Sequence, residues 1–156
     1  MGSNTSNSNF PLKYDVDRKL FSLTFTSRDK IRLVLAPYEL ITSTRQILAK
    51  YWRVDYVRIS DSLAEFKLED YELKDVEAEN ADSEFLLTRL IKSYYELGWE
   101  IEANMGMSLA GKTGNTVIFK KREPISTSVT CVSLDRTNRI SVLGPESMIS
   151  LVSMLA

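Results

Sequence analysis

The strongest constraint in this sequence is a local pattern that occurs at both ends of the chain: a β-hairpin, then a proline, then an amphipathic helix. Residues 20–26 alternate apolar and polar side chains, residues 27–30 are polar, and residues 31–35 return as a second strand. Pro37 stands where a helix tolerates proline as its first residue, and residues 38–52 place apolar side chains at the spacing of a helix with one buried face. The pattern predicts strands paired in hairpins and packed against helices.

The same order recurs near the C-terminus. Residues 129–134 and 140–142 have strand character on either side of a polar turn, and Gly144-Pro145 opens a helix. Glu146 is the charged residue of this helix, whose apolar side consists of Met148, Leu151, Val152 and Leu155.

A third copy is predicted in the middle of the chain, from strands at 55–59 and 63–68 and the helix that follows after a spacer. Asp82 or Ser83 can cap that helix by accepting from an early N–H group, and Gly98 stands just past its end, where glycine takes a left-handed conformation without a Cβ penalty. The helix has a continuous apolar stripe, formed by Leu86, Leu87, Leu90, Ile91, Tyr94 and Tyr95.

One more hairpin is predicted after this helix. Residues 99–105 alternate strictly, residues 116–120 form the partner strand, and the glycine-containing residues 111–115 connect the two. The alternation predicts four inward side chains, namely Trp99, Ile101, Ala103 and Met105.

Together these patterns predict an α+β fold: a mostly antiparallel sheet of about six to eight strands, built from β-hairpin–helix units, with three helices packed on one face. We expect a flexible Ser/Asn-rich tail at residues 1–12, and a single domain over residues 13–156 with an acidic loop near 69–82. Residues 61–84 carry ten acids and two lysines, although the chain as a whole has a formal charge of -1. The first residues also match the N-myristoylation pattern with Gly2 as acceptor, and the alternative is a solvated tail.

The absence of histidine and the single cysteine exclude many kinds of chemistry. A Ser-His-Asp or Cys-His site needs an imidazole base, and a structural zinc site needs about four Cys or His ligands. We therefore expect no enzymatic activity, no catalytic residues, no metal and no cofactor. Cys131 lies in an apolar stretch and is predicted to be a buried strand thiol. A free thiol without a disulfide framework predicts a reducing compartment, either cytoplasmic or nuclear.

Residues Gly106–Thr113 match the phosphate-binding pattern G-x-x-x-x-G-K-[ST] at each fixed position. In a P-loop NTPase, which this segment resembles, Lys112 reaches the phosphates, Thr113 holds Mg²⁺ and Gly111 belongs to the cradle. A P-loop must run into a helix, because the helix N-terminus binds the phosphate. Here Gly114-Asn115 and a β-branched strand follow, so we predict a hairpin and keep ATP or GTP binding as the alternative function.

Basic residues surround the turns of the first and last hairpins, at Arg28, Lys30, Arg32, Arg136 and Arg139. If the hairpins align, these side chains form one basic patch that can meet phosphates or an acidic partner. The alternative is ordinary solvated turns. Nucleic acid is not expected as a partner, because the chain is not basic overall and has no aromatic motif for stacking bases.

The leading hypothesis is a non-enzymatic binding or scaffold domain that engages another protein. No apolar run reaches the ~18–20 residues needed to span a bilayer. The C-terminal helix, with few polar residues, suggests possible homo-oligomerisation. Core packing is predicted for Tyr51, Trp52, Tyr94, Tyr95 and Trp99, and any partly exposed subset would mark an interface. A second alternative is a small apolar ligand held between the helices and the sheet.

Overall fold

The computed structural model describes residues 18–27, 29–69, 81–109, 112–134 and 140–155. Its elements in chain order are β1 (Leu20–Ser27), β2 (Lys30–Val34), α1 (Tyr38–Tyr51), β3 (Val54–Ile59), β4 (Leu63–Leu68), α2 (Ala81–Glu96), β5 (Trp99–Leu109), β6 (Lys112–Lys121), β7 (Cys131–Leu134), β8 (Ile140–Leu143) and α3 (Glu146–Leu155). Within this part of the chain, no helix is both long and apolar enough to cross a membrane.

The main sheet has six antiparallel strands in the order β3-β4-β2-β1-β6-β5, and β7 pairs with β8 in a separate two-stranded sheet. The predicted α+β class with a mostly antiparallel sheet and three helices is confirmed. Three hairpin–helix units are present, and β5–β6 is a fourth hairpin without a helix of its own. Since β1 pairs with both β2 and β6, it joins the first unit to the fourth hairpin.

One face of the main sheet is buried beneath α1 and α2. Successive strand residues point to opposite faces, so every second strand residue contributes to this core. At its centre, the ring of Phe21 stacks on Phe119 at 4.8 Å between centroids and meets Tyr94 and Trp99 edge-on at 5.3 and 5.1 Å. The buried core also includes Leu23, Ile31, Leu33, Ala36, Leu40, Ile41, Leu48, Ala64, Phe66, Leu68, Leu86, Leu90 and Val117.

The prediction that the alternate residues of 99–105 all point to the same buried face is wrong. A β-bulge shifts the register between Ile101, which pairs with Phe119, and Ala103, which pairs with Ile118. Because a bulge inserts one extra residue opposite its partner strand, Ala103 no longer lies on the same face as Trp99. Ile101 is 39% exposed at the sheet edge, whereas Trp99 is buried as predicted.

Helix boundaries also differ slightly from the expectations. Pro37 precedes the first helical residue as the N-cap of α1, and α2 begins at Ala81, so Asp82 and Ser83 lie in its first turn. The predicted role of Gly98 is confirmed, since its φ is +81° and a Cβ there would approach the Arg122 carbonyl oxygen to 2.6 Å. Residues 1–12 and 70–80, on which the predicted tail and most of the acidic loop fall, lie outside the described residues.

A buried hydroxyl pair ties α1 to α2. The Thr44 hydroxyl donates to the Leu40 carbonyl at 2.7 Å, and it accepts from the Tyr94 hydroxyl at 2.7 Å. Both side chains are buried, and burial raises the pKa of Tyr94 above its ordinary value of 10.0. The single proton of the Thr44 hydroxyl is donated to Leu40, so the Tyr94 hydroxyl is the donor between the two.

Replacing Thr44 alone is expected to cost more than replacing both partners of this pair. Thr44→Val leaves the buried Tyr94 hydroxyl without its acceptor and should lower the free energy of unfolding by about 1–3 kcal/mol. In the double variant Thr44→Val/Tyr94→Phe no buried hydroxyl is left unpaired, so it should be more stable than Thr44→Val alone. Urea unfolding of both variants and of Tyr94→Phe measures this. Additive losses would contradict the assigned pairing.

Candidate functional site

The segment that resembles a P-loop lies on the β5–β6 hairpin. Leu109 pairs with Lys112, and Ser108 pairs with Thr113, so the predicted hairpin is confirmed. The strands extend further than predicted, because residues 112–115 belong to β6 and not to the connection. Gly111 lies outside the described residues. Lys112 and Thr113 open a strand and not the helix whose N-terminus binds phosphate in a P-loop, and nucleotide binding through them stays a prediction.

The predicted basic patch is described at two of its five residues. Lys30 and Arg32 lie on β2, within the main sheet, whereas the last hairpin forms a sheet of its own. The predicted alignment of the two hairpins therefore does not occur through strand pairing. Arg28, Arg136 and Arg139 lie outside the described residues, and the patch stays a prediction.

Arg32 is engaged within the protein by a carboxylate. Its Nε donates to Glu65 Oε2, and the Tyr56 hydroxyl donates to Glu65 Oε1 at 2.6 Å. Glu65 is only 5% exposed. The hydrogen bonds from Tyr56 and Arg32 hold the pKa of Glu65 below its ordinary value of 4.5, against the opposing effect of burial. This ion pair reduces what Arg32 can offer to an external anion.

The same ion pair belongs to a polar row on the outer face, the face of the main sheet turned away from α1 and α2. The pairing register places Arg58, Glu65, Arg32, Thr24 and Thr116 side by side across neighbouring strands. The hydroxyls of Thr24 and Thr116 lie 3.0 Å apart. Cross-strand pairs of this kind stabilise a sheet, so the row has a structural role in holding the strands together.

Aromatic and cationic side chains gather where α1 ends and α2 begins. The ring of Tyr51 lies 5.6 Å from Trp52 and 5.1 Å from Phe85, between centroids. The Arg89 guanidinium lies 4.9 Å from the Phe85 ring and 6.0 Å from the Tyr51 ring, and the Lys50 ammonium lies 5.2 Å from the Tyr51 ring. We call these five side chains the aromatic–cationic cluster.

Local structure explains how the cluster forms. Tyr51 is the last residue of α1, and the Trp52 N–H donates to the Leu48 carbonyl at 2.8 Å before the chain enters β3. Phe85 and Arg89 are four residues apart on α2 and therefore share one helix surface. Tyr51 is 39% exposed, Trp52 and Phe85 are half-buried, and Lys50 and Arg89 are exposed.

The aromatic residues predicted as core thus divide into two groups. Tyr94 and Trp99 are buried as predicted, Tyr51 is exposed, and Trp52 and Tyr95 are half-buried. The sequence analysis missed Phe85 and Arg89 as members of a surface site. Their four-residue spacing, just outside the apolar stripe of α2, is the signal that could have found them.

A cleft of about 450 Å³ lies between α1 and α2. Its walls include Tyr38, Glu39 and Glu96, and the Ser43 and Ser93 hydroxyls within it lie 2.6 Å apart. Between the helices and the sheet, by contrast, the described side chains pack against one another in the core. The apolar ligand proposed for that space stays a prediction. Among the described residues, no three Cys, Asp or Glu side chains group as metal ligands.

The unit formed by β7, β8 and α3 carries exposed apolar side chains. Val132 is 57% exposed and Ile140 is 56% exposed on the two strands, and Met148 and Ile149 are 37% and 42% exposed on the helix. Cys131, predicted to be buried, is half-buried at the start of β7. An isolated hairpin of two strands has marginal stability, so the β7–β8 hairpin needs packing against other elements to be stable.

The fold and its surfaces define an α+β domain in which two helices cover one face of a six-stranded antiparallel sheet. Residues 19–120, well over half of the chain, match a conserved and uncharacterised domain family, and the protein belongs to that family. No curated protein matches the sequence. The crystal structure of a conserved kinetoplastid-specific protein from Trypanosoma cruzi is similar over 66% of this chain and 94% of that chain, with a TM-score of 0.48 and 15% identity.

The pH dependence of stability is expected to report on Glu65. Because its folded-state pKa is lowered, its ionised form stabilises the fold at pH values above the unfolded-state pKa, and this stabilisation is lost as the pH falls through the folded-state pKa. The free energy of unfolding of the native chain should therefore exceed that of Glu65→Gln most at pH 7, and the difference should shrink below about pH 4. Urea unfolding across this pH range measures it.

Glu102→Gln is the control for this measurement, since that carboxylate is 45% exposed and its nearest cationic partners lie at 3.5 and 3.6 Å. Exposed pairs contribute little to stability, so the control should show a smaller pH-dependent difference. Equal pH dependence in the two variants would show that the contacts of Glu65 are not what lowers its pKa.

Proposed function

We propose that this protein is a non-enzymatic protein-binding module and that its partner docks on the aromatic–cationic cluster. The observation that carries the proposal is the partly exposed Tyr51 ring, which meets Phe85 edge-on and has the cationic groups of Lys50 and Arg89 at 5.2 and 6.0 Å from its centroid. Tyr, Trp and Arg are the residues most enriched among those that dominate protein–protein binding energy. The cluster brings all three types together on one surface.

The arrangement of the rings supports a protein partner over a small molecule. The ring pairs meet at interplanar angles of 54° to 85° with centroids 5.1 to 6.3 Å apart, so the rings fill the space between themselves. Small-molecule sites are concave and enclose most of the ligand. Ring edges held in fixed positions instead offer a surface that loses little side-chain freedom when a partner binds.

Binding of the native partner is expected to depend on Tyr51 and Arg89. Truncating a residue that dominates an interface costs about 2 kcal/mol or more, so Tyr51→Ala and Arg89→Ala should each weaken binding by about tenfold or more. The test is a quantitative pull-down with the native chain as bait in its own cells, followed by a Kd measurement with the purified partner.

Matched controls exist on the same helix and on the outer face of the sheet. Tyr38, at the opposite end of α1, is 63% exposed, and Arg58 is an exposed arginine on β3. Tyr38→Ala and Arg58→Ala should leave the Kd within about twofold of the native value, as expected for residues outside the contact region. Comparable losses in the controls and in the cluster variants would refute the location.

We propose a second interaction, between two copies of the chain, through the β7–β8–α3 unit. The exposed Val132, Ile140 and Met148 support this proposal, as does the single charged residue, Glu146, in α3. A contact between two identical copies places the same patch on both sides. An apolar patch can pack against an identical patch, because no opposite charges have to be matched across the contact.

Sedimentation velocity is expected to detect this association at micromolar concentration. Ile149→Glu should lower the dimer fraction, because it would place a charge in an apolar contact without a partner. Ile59→Glu is the control, since Ile59 is similarly exposed, at 44% against 42% for Ile149, but lies on β3. A native chain that sediments as a monomer, or equal effects of both variants, would contradict the proposal.

A further inference from the structure

We infer that the aromatic–cationic cluster recognises an acidic segment of a partner protein, in which aspartate or glutamate side chains flank an apolar anchor. The inference rests on the proposed function and specifies the chemistry of the partner. It follows from the cationic side chains at this surface, from their contacts with the aromatic rings, and from the geometry of the Arg89 guanidinium.

Three cationic side chains lie in or next to the cluster, although the chain as a whole is slightly acidic. Lys50 and Arg89 are both exposed. Arg53 follows Trp52 in the chain, and its side chain is 79% exposed. Among the described side chains, Glu69 is the one acid in an ion pair with any of these three cations, at 2.7 Å from Arg53 Nε. Complementary charge steers the encounter of two proteins and fixes the register of their contact.

The contacts of the rings favour carboxylates over nucleic-acid bases. Single-stranded nucleic acids bind to aromatic side chains by stacking bases on their faces. Here Lys50 and Arg89 lie over the ring of Tyr51, and Arg89 also lies over Phe85. A base that stacked on these ring faces would have to displace the cations.

The same contacts prepare Arg89 to bind an anion. A guanidinium that stacks on an aromatic ring uses its flat face, and its N–H donors, which lie in its plane, match the geometry of a carboxylate. The guanidinium lies 4.9 Å from the Phe85 ring and 6.0 Å from the Tyr51 ring, so these contacts are in place before a partner binds. An apolar side chain packed against Tyr51, with acids reaching Lys50 and Arg89, would satisfy both parts of the surface.

Selection from a random twelve-residue peptide library against the full-length chain tests this inference. The enriched peptides should contain Asp or Glu on both sides of an aromatic or large aliphatic residue. Their affinity can be measured from the emission of Trp52, because the only other tryptophan, Trp99, is 1% exposed. Affinity should fall as salt rises from 50 to 300 mM, since exposed charges are screened.

Charge reversal supplies the decisive comparison. Arg89→Glu should weaken binding of the enriched peptide at least tenfold, and Arg89→Gln, which keeps an amide in place of the charge, should weaken it to a smaller extent. Arg58→Glu, on the outer face of the sheet, should leave the affinity within about twofold of the native value. Circular dichroism verifies that each variant is folded, and Arg89→Gln alone decides the outcome if the reversal prevents folding.

Several results would overturn the inference: no enrichment, enrichment without acids, or an equal loss in the Arg58 control. Binding of a labelled dT oligonucleotide that is lost in Arg89→Glu would assign the surface to nucleic acid instead. If the cellular partner depends on Tyr51 while the library shows no acidic preference, the proposed function stands and this inference fails. If that partner is indifferent to Tyr51 and Arg89, the proposed function fails at this surface.

Discussion

The packing of Phe21 is the contact on which the rest of the fold depends. Phe21 lies on β1, the strand that pairs with both β2 and β6, and its ring meets Phe119, Tyr94 and Trp99 at once. These contacts connect β1 with α2, β5 and β6, which follow much later in the sequence. Buried aromatic pairs stabilise a core beyond the area they bury, so this one residue links the sheet order to the position of a helix.

The position of α2 in turn determines where the surface cluster forms. Tyr94 holds α2 in the core and donates a hydrogen bond to Thr44 of α1, while the hydroxyls of Ser43 and Ser93, one residue earlier on each helix, lie 2.6 Å apart. With the two helices fixed in this way, the end of α1 lies beside the beginning of α2. Tyr51 and Phe85 therefore meet although 34 positions of sequence separate them. The proposed binding surface is a consequence of core packing.

Local pattern predicts the elements of this fold well and their surfaces less well. The alternating strands, the helical stripes and Gly98 are visible in the sequence because period and backbone freedom are local properties. The bulge at Ile101–Ala103 is invisible to the same reasoning, since nothing in a strictly alternating segment marks an extra residue. The contact of Tyr51 with Phe85 depends on long-range helix packing, so it could not be read from either helix alone.

Arg32 and Arg89 illustrate why a charge pattern in a sequence is a weak guide to a binding site. Both are arginines in regular elements, and only Arg32 belongs to a run of basic residues that suggests a patch. In the fold, Arg32 lies against a buried carboxylate that also accepts from Tyr56, so its charge is neutralised within the protein. Arg89 lies near two aromatic rings and is exposed at the surface. The arginine of the proposed binding surface is therefore distinguished by the rings that it contacts and not by the number of charges around it in the sequence.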